Sequence, residues 1–157
     1  MVNTKEIIEL LKKNNKTIST MESCTGGGVA NAITNIEGAS EVLKFSAVTY
    51  SNEFKIKMGV NPDIIEKYTV YSMETADEMS KNISLFTNSN IGIGITGQLN
   101  RFDPYNKSSE NNIVYISIYD KDKNKFNNIK IIVKENSRKD NKEIIIHKIE
   151  NKLKEIL

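Results

Sequence analysis

"MESCTGGGVANAI" (residues 21–33) is the stretch on which the fold turns. A short run rich in β-branched residues, Thr17-Ile18-Ser19-Thr20-Met21, leads into it and reads as a strand. Beyond the glycines, Val29, Ala32, Ile33 and Ile36 recur at i, i+3, i+4 and i+7, the buried stripe of a helix. Strand, glycine turn and helix in that order open an α/β unit, with Ser23 and Cys24 at the strand's end. The chain holds 8 glycines and places three of them together here. Either they only make a tight turn, or the turn presents Ser23 to a substrate.

Outward from this turn the pattern is equally regular. Asn3 with Glu6 forms a capping pair for a first helix over roughly 4–14, stopped by Asn14 and Asn15. "LKFSAVTYSN" (43–52) reads as a strand running into polar residues, with Lys55 and Lys57 in the connection beyond it. Pro62 opens a short helix to about Lys67, and Ser72 caps a longer one with Ala76, Met79, Ile83 and Phe86 on one face. "NIGIGITG" (90–97) alternates isoleucine with glycine, a strand one face of which admits another backbone closely; the helix that starts in glycines is the expected neighbour. Residues 98–112 read as a long polar loop, 113–119 and 125–133 as a hairpin, and 138–156 as a closing helix with Ile145, Ile149, Leu153 and Ile156 on its core stripe. The order α-β-α-β-α-α-β-β-β-α predicts a single-domain, three-layer α/β/α fold over residues 1–157, with a mixed, mostly parallel sheet.

Composition excludes several classes. With 157 residues, 38% of them hydrophobic, the chain can bury a core, and no apolar run is long enough to span a membrane. The first residues contain acids and lack a small-residue cleavage pattern, so no secretory signal is read. The lone cysteine, Cys24, makes no internal disulfide, which fits a reducing cytoplasm. A net charge of +2 without interleaved aromatics does not point to nucleic acid. One histidine, one cysteine and no acidic group at ligand spacing leave no metal site, and no cofactor is indicated.

The chemistry centres on Ser23. A strand-to-helix turn offers free N–H groups and the positive end of a helix dipole to an anion, either a phosphate or the oxyanion of acyl transfer. Neither G-x-S-x-G nor the P-loop pattern is present. A serine needs a base, and the single histidine, His147, falls on the outer face of the last helix. A Ser-Lys pair requires no histidine, and Lys55 and Lys57 follow a strand end beside Tyr50, Ser51 and Asn52. Thr96-Gly97 ends another strand, so Ser23, Tyr50 and Thr96 would meet if their strands are parallel neighbours. Cys24 reads as a small buried thiol rather than the nucleophile, having no histidine to deprotonate it.

"ESCTGG" (22–27), "YSNEFKIKMGV" (50–60) and "GITG" (94–97), with "VYS" at 70–72 and "VYIS" at 114–117, resemble the C-terminal domain of the competence/damage-inducible CinA proteins, also found alone as a nicotinamide-nucleotide amidase. The resemblance covers about residues 5–157. It implies hydrolysis of nicotinamide mononucleotide to nicotinic acid mononucleotide and ammonia, and a homodimer whose partner is otherwise only a small nucleotide. It assigns Ser23 as nucleophile and Lys55 as base, with Tyr50 and Thr96 orienting lysine and substrate. Substrate contacts fall to Thr25, Gly26, Gly27, Asn52, Gly97 and Arg138, with amides at the Thr25-Gly26 turn expected to hold the oxyanion. The larger relatives' additional N-terminal domain, and any activity tied to it, is not expected within these residues.

The departures are specific. Family members carry a glycine- and proline-rich loop after the "GITG" position, whereas "QLNRFDPYNKSSENN" (98–112) has no glycine and offers Arg101 and Lys107 instead. A second family arginine, one turn beyond Arg138, stands here as Lys142, which lacks bidentate geometry for phosphate. The alternative to an amidase is therefore a catalytically altered CinA-like module that binds a nucleotide or a protein. A third reading uses the Gly26–Gly28 turn as the anion site of a phosphatase or nucleotide-transfer enzyme.

Overall fold

In the computed structural model, which describes residues 2–100, 112–134 and 137–157, the strands Ile18–Glu22 (β1), Leu43–Val48 (β2), Ile91–Gly97 (β3), Ile113–Asp120 (β4) and Lys125–Ile132 (β5) form one sheet in the order β2-β1-β3-β4-β5. β1 pairs in parallel with β2 and β3, and β4 is antiparallel to both its neighbours. The result is the mixed α/β sheet expected, with β4 alone running against the rest.

Helices Thr4–Lys13 (α1), Gly28–Thr34 (α2) and Arg138–Ile156 (α6) pack together on one face, and Met73–Thr87 (α5) on the other. The side-chain period of two divides β3 between the layers. Ile91, Ile93 and Ile95 enter the core shared with Ile7, Ile33, Ile145 and Ile149. Gly92 and Gly94 face α5, where an added Cβ would lie 2.1 Å from the Ser80 carbonyl or 2.4 Å from the Ala76 carbonyl. The close neighbour of the glycine face is thus α5, not the glycine-initiated α2. Met21, in register with Gly94, joins Val60, Met79 and Ile83 in a second cluster under α5.

Caps read from sequence form as hydrogen bonds: the Asn3 side chain accepts from the Glu6 N–H at 3.0 Å, and the Ser72 hydroxyl from the Thr75 N–H at 3.2 Å. Pro62 opens Pro62–Tyr68 (α4). Two expectations fail locally. Phe86 is 67% exposed and sits edge-on to Phe45 of the outer strand β2, because in the last turn of α5 it is Ser84, fully buried against Gly92, that faces the sheet. The segment after β2 is not an open connection but the helix Asn52–Lys57 (α3), capped by Ser51, whose hydroxyl accepts from the Phe54 N–H. Among the described residues no helix is long and apolar enough to cross a membrane.

The strand order places the site. β1 leads through α2 to β2 on one side, and β2 returns past β1 to β3 on the other. Such a reversal opens a crevice at the carboxyl ends of the two diverging strands. Ser23, Thr49 and Gly97 all lie at that edge.

Candidate active site

Ser23 follows β1 directly, its N–H donating to the Ile95 carbonyl of β3 at 3.0 Å. The Gly26 N–H donates to the Ser23 carbonyl at 2.9 Å and closes the turn. Gly26 and Gly27 have φ of 59° and 91°, left-handed values that side chains rarely tolerate, so glycine is required at both.

The decisive side chain at this turn is one that sequence reasoning passed over. Glu22 is 0% exposed, and its carboxylate accepts from the N–H groups of Val29 (2.9 Å) and Ala30 (3.0 Å) and from the Thr25 hydroxyl (2.7 Å). The protein's own anion therefore occupies the amino end of α2. This overturns the expectation that the Gly26–Gly28 turn receives a phosphate or oxyanion. Thr25, Gly26 and Gly27 build the turn, and none of the three lines the cavity. Burial of a carboxylate demands partners, and a Glu followed by a turn threonine and a helix start is the signal that could have revealed it.

The cavity, about 130 Å³, lies between the ends of β1, β2 and β3. Ser23, Lys55, Tyr50, Thr96, Asn52, Gly97 and Arg138, drawn from distant parts of the sequence, all line it. At its base Lys55 Nζ lies 3.1 Å from Ser23 Oγ and donates to the Thr49 carbonyl at 2.8 Å. Lys55 is only 2% exposed, and burial lowers its pKa from the ordinary lysine value, with the neighbouring Cys24 opposing. The choice between the two lysines is settled geometrically: Lys57, two residues on, is exposed and pairs with Glu53 at 2.9 Å.

Thr96 does not point its hydroxyl at the lysine; it donates to the Val70 carbonyl at 2.7 Å and ties the 69–72 segment to the end of β3. Tyr50 is exposed and accepts from the Arg138 guanidinium at 3.4 Å, while Arg138 also donates to the Leu99 carbonyl at 2.7 Å. His147 is exposed, its Nδ1 3.1 Å from Glu150 on the same helix. Lys142 approaches the turn, its Nζ 3.3 Å from where a Cβ on Gly26 would sit. Arg101 and Lys107 lie outside the described residues. Among those described, no group of three His, Cys, Asp or Glu residues could hold a metal ion.

Cys24 also borders the cavity, but burial pushes its thiol up to about 12. A thiol so protonated is a poor nucleophile. Iodoacetamide at about pH 8 should leave Cys24 unmodified in the folded protein and label it once guanidinium unfolds the chain. Mass spectrometry of both samples checks this, and rapid labelling of the native form would mean an exposed thiolate.

Fold and site together describe an α/β domain with a buried serine–lysine pair at a strand-order switch. The chain belongs to the CinA C-terminal domain family, whose model matches residues 2–157. Among its relatives, the CinA-like protein of Kosmotoga olearia is 45% identical over 92 residues, 58% of this chain but only 22% of that protein's length. The fold is that of the competence or damage-inducible protein from Enterobacter asburiae (TM-score 0.85, 22% identity, 96% of each chain). It is likewise that of a CinA superfamily protein from Klebsiella pneumoniae 700603 (TM-score 0.88, 19% identity, 97% of this chain and 93% of that one).

Proposed function

We propose that the domain is an amidohydrolase that cleaves the carboxamide of nicotinamide mononucleotide through Ser23 and Lys55. The observation that carries this reading is the 3.1 Å contact between Lys55 Nζ and Ser23 Oγ, made where both side chains are buried. A neutral amine can keep one N–H on the Thr49 carbonyl and turn its lone pair to the serine hydroxyl. Lys55 then takes the proton as Ser23 Oγ attacks the amide carbon. The collapsing tetrahedral intermediate expels ammonia with that proton, and water, deprotonated by the same amine, hydrolyses the ester to the acid.

The oxyanion needs donors other than the committed Gly26 amide. The Cys24 N–H follows the nucleophile directly and has no hydrogen bond to another residue among those described, which suits it to this role. A single such donor is typically worth about 3–4 kcal/mol. Arg138 uses two guanidinium N–H groups on Leu99 and Tyr50 and is exposed, so it can meet the substrate's phosphate with the rest. The same reading takes the chain as a homodimer, supported by the open edge of β2 and the exposed Phe45, Val48 and Phe86 beside it.

The test is ammonia release from nicotinamide mononucleotide by the purified protein across pH. Because the lysine must be neutral and its pKa is lowered, kcat/KM should rise with pH through that pKa and then level, at lower pH than an ordinary lysine allows. No release by folded protein would sink the proposal. Release that falls as pH rises would remove Lys55 from the role of base.

A further inference from the structure

One wall of the cavity is unusual in its backbone. Thr69 has φ 68° and ψ 171°, a conformation that a β-branched residue adopts only at a cost of about 1–3 kcal/mol. The strain is held in place by surrounding bonds. The Thr69 carbonyl accepts from the hydroxyls of Ser72 (2.9 Å) and Thr75 (2.7 Å), and its own hydroxyl accepts from the Tyr71 N–H at 3.2 Å. Thr96 fixes the next carbonyl, that of Val70, to the sheet.

This over-determined turn puts Tyr71 on the cavity wall, 39% exposed. Tyr50, 66% exposed, borders the same cavity, and among the described residues neither ring stacks on another aromatic. Ser23 and Lys55 line that same cavity, so a ligand reaching them passes both rings.

We infer that Tyr71, held by the strained Thr69 turn, is the ring-binding residue of this site and selects planar, cationic heteroaromatic carboxamides over amides without such a ring. The inference rests on the amidase reading for the identity of the ligand. A pyridinium ring suits the electron-rich face of tyrosine doubly, by stacking and by cation–π attraction.

The ring's share of binding can be measured without turnover. In the Ser23→Ala background, calorimetry is run with nicotinamide mononucleotide and, separately, with ribose 5-phosphate, which lacks the ring. The nucleotide should bind the tighter of the two, and Tyr71→Leu should weaken it roughly tenfold. The same change should leave ribose 5-phosphate unaffected, and Tyr71→Phe should restore nucleotide binding. A residue that merely shaped the pocket would move both ligands together. Equal affinity for the two ligands, or a preference that Tyr71→Leu leaves intact, overturns the role of Tyr71, whether or not the wild-type protein releases ammonia. Failure of ammonia release with a Tyr71-dependent preference retained would instead strike the amidase reading and leave the ring site standing.

Discussion

Ser23→Ala should lower the rate of ammonia release at least about 10³-fold while leaving the thermal midpoint nearly unchanged. The hydroxyl contributes little to the fold: it accepts from Lys55, and the serine's backbone bonds to Ile95 and Gly26 survive the change. Lys55→Met should cost a similar factor, because a neutral serine without its base is as inert as no serine. The double variant should then be little worse than either alone, the signature of two groups acting as one device. Methionine fills the amine's apolar path but abandons the Thr49 carbonyl, a buried acceptor whose loss costs about 1–3 kcal/mol. Steady-state kinetics with urea unfolding on the same samples separates chemistry from stability. Retention of a tenth of the wild-type rate in Ser23→Ala would point to direct attack by water.

Gly94→Ala should destabilise the fold by about 3 kcal/mol or more. The new Cβ would meet the Ala76 carbonyl at 2.4 Å and the Ser80 N–H nitrogen at 2.6 Å. Both are backbone atoms of α5, so relief requires the helix to retreat from the sheet. That retreat would open the cluster of Met21, Met79 and Ile83 and withdraw Ser72 and Thr75, which pin the Thr69 turn. Gly28→Ala is the matched control. Its Cβ would meet Ile146 at 3.6 Å and Thr25 at 4.0 Å, both ordinary contacts, and alanine is the better helix former. A urea midpoint for Gly94→Ala equal to the control would mean α5 is free to shift.

Much of this architecture was legible in the sequence wherever apolar residues marked the buried face. α1 and α5 begin directly after the caps read for them, Asn3 and Ser72, and β3 declares its two faces through alternating isoleucine and glycine. α3 was illegible because it inverts the rule: Phe54 and Ile56 are exposed, while the buried residue is Lys55. Pattern reading finds helices by their greasy side, and here the buried side carries the Lys55 amine. The same inversion hid Glu22, which alternation assigns to the core face without saying that a carboxylate can live there. Tyr71 gave no signal of its own, since its placement depends on a backbone angle at Thr69 that threonine rarely adopts. On the residues alone Lys55 was one of two lysines near a strand end; the family resemblance singled it out, and the helix brings it, not Lys57, against Ser23.

The internal carboxylate of Glu22 has a consequence for how the site is assembled. A turn whose amides wait for a ligand's negative charge is completed only when that ligand arrives, and its geometry then depends on occupancy. Here the carboxylate is built into the chain, accepting hydrogen bonds from Thr25, Val29 and Ala30. The turn that carries Ser23 is consequently set by the chain itself, and under the proposed amidase reading substrate binding need not organise it.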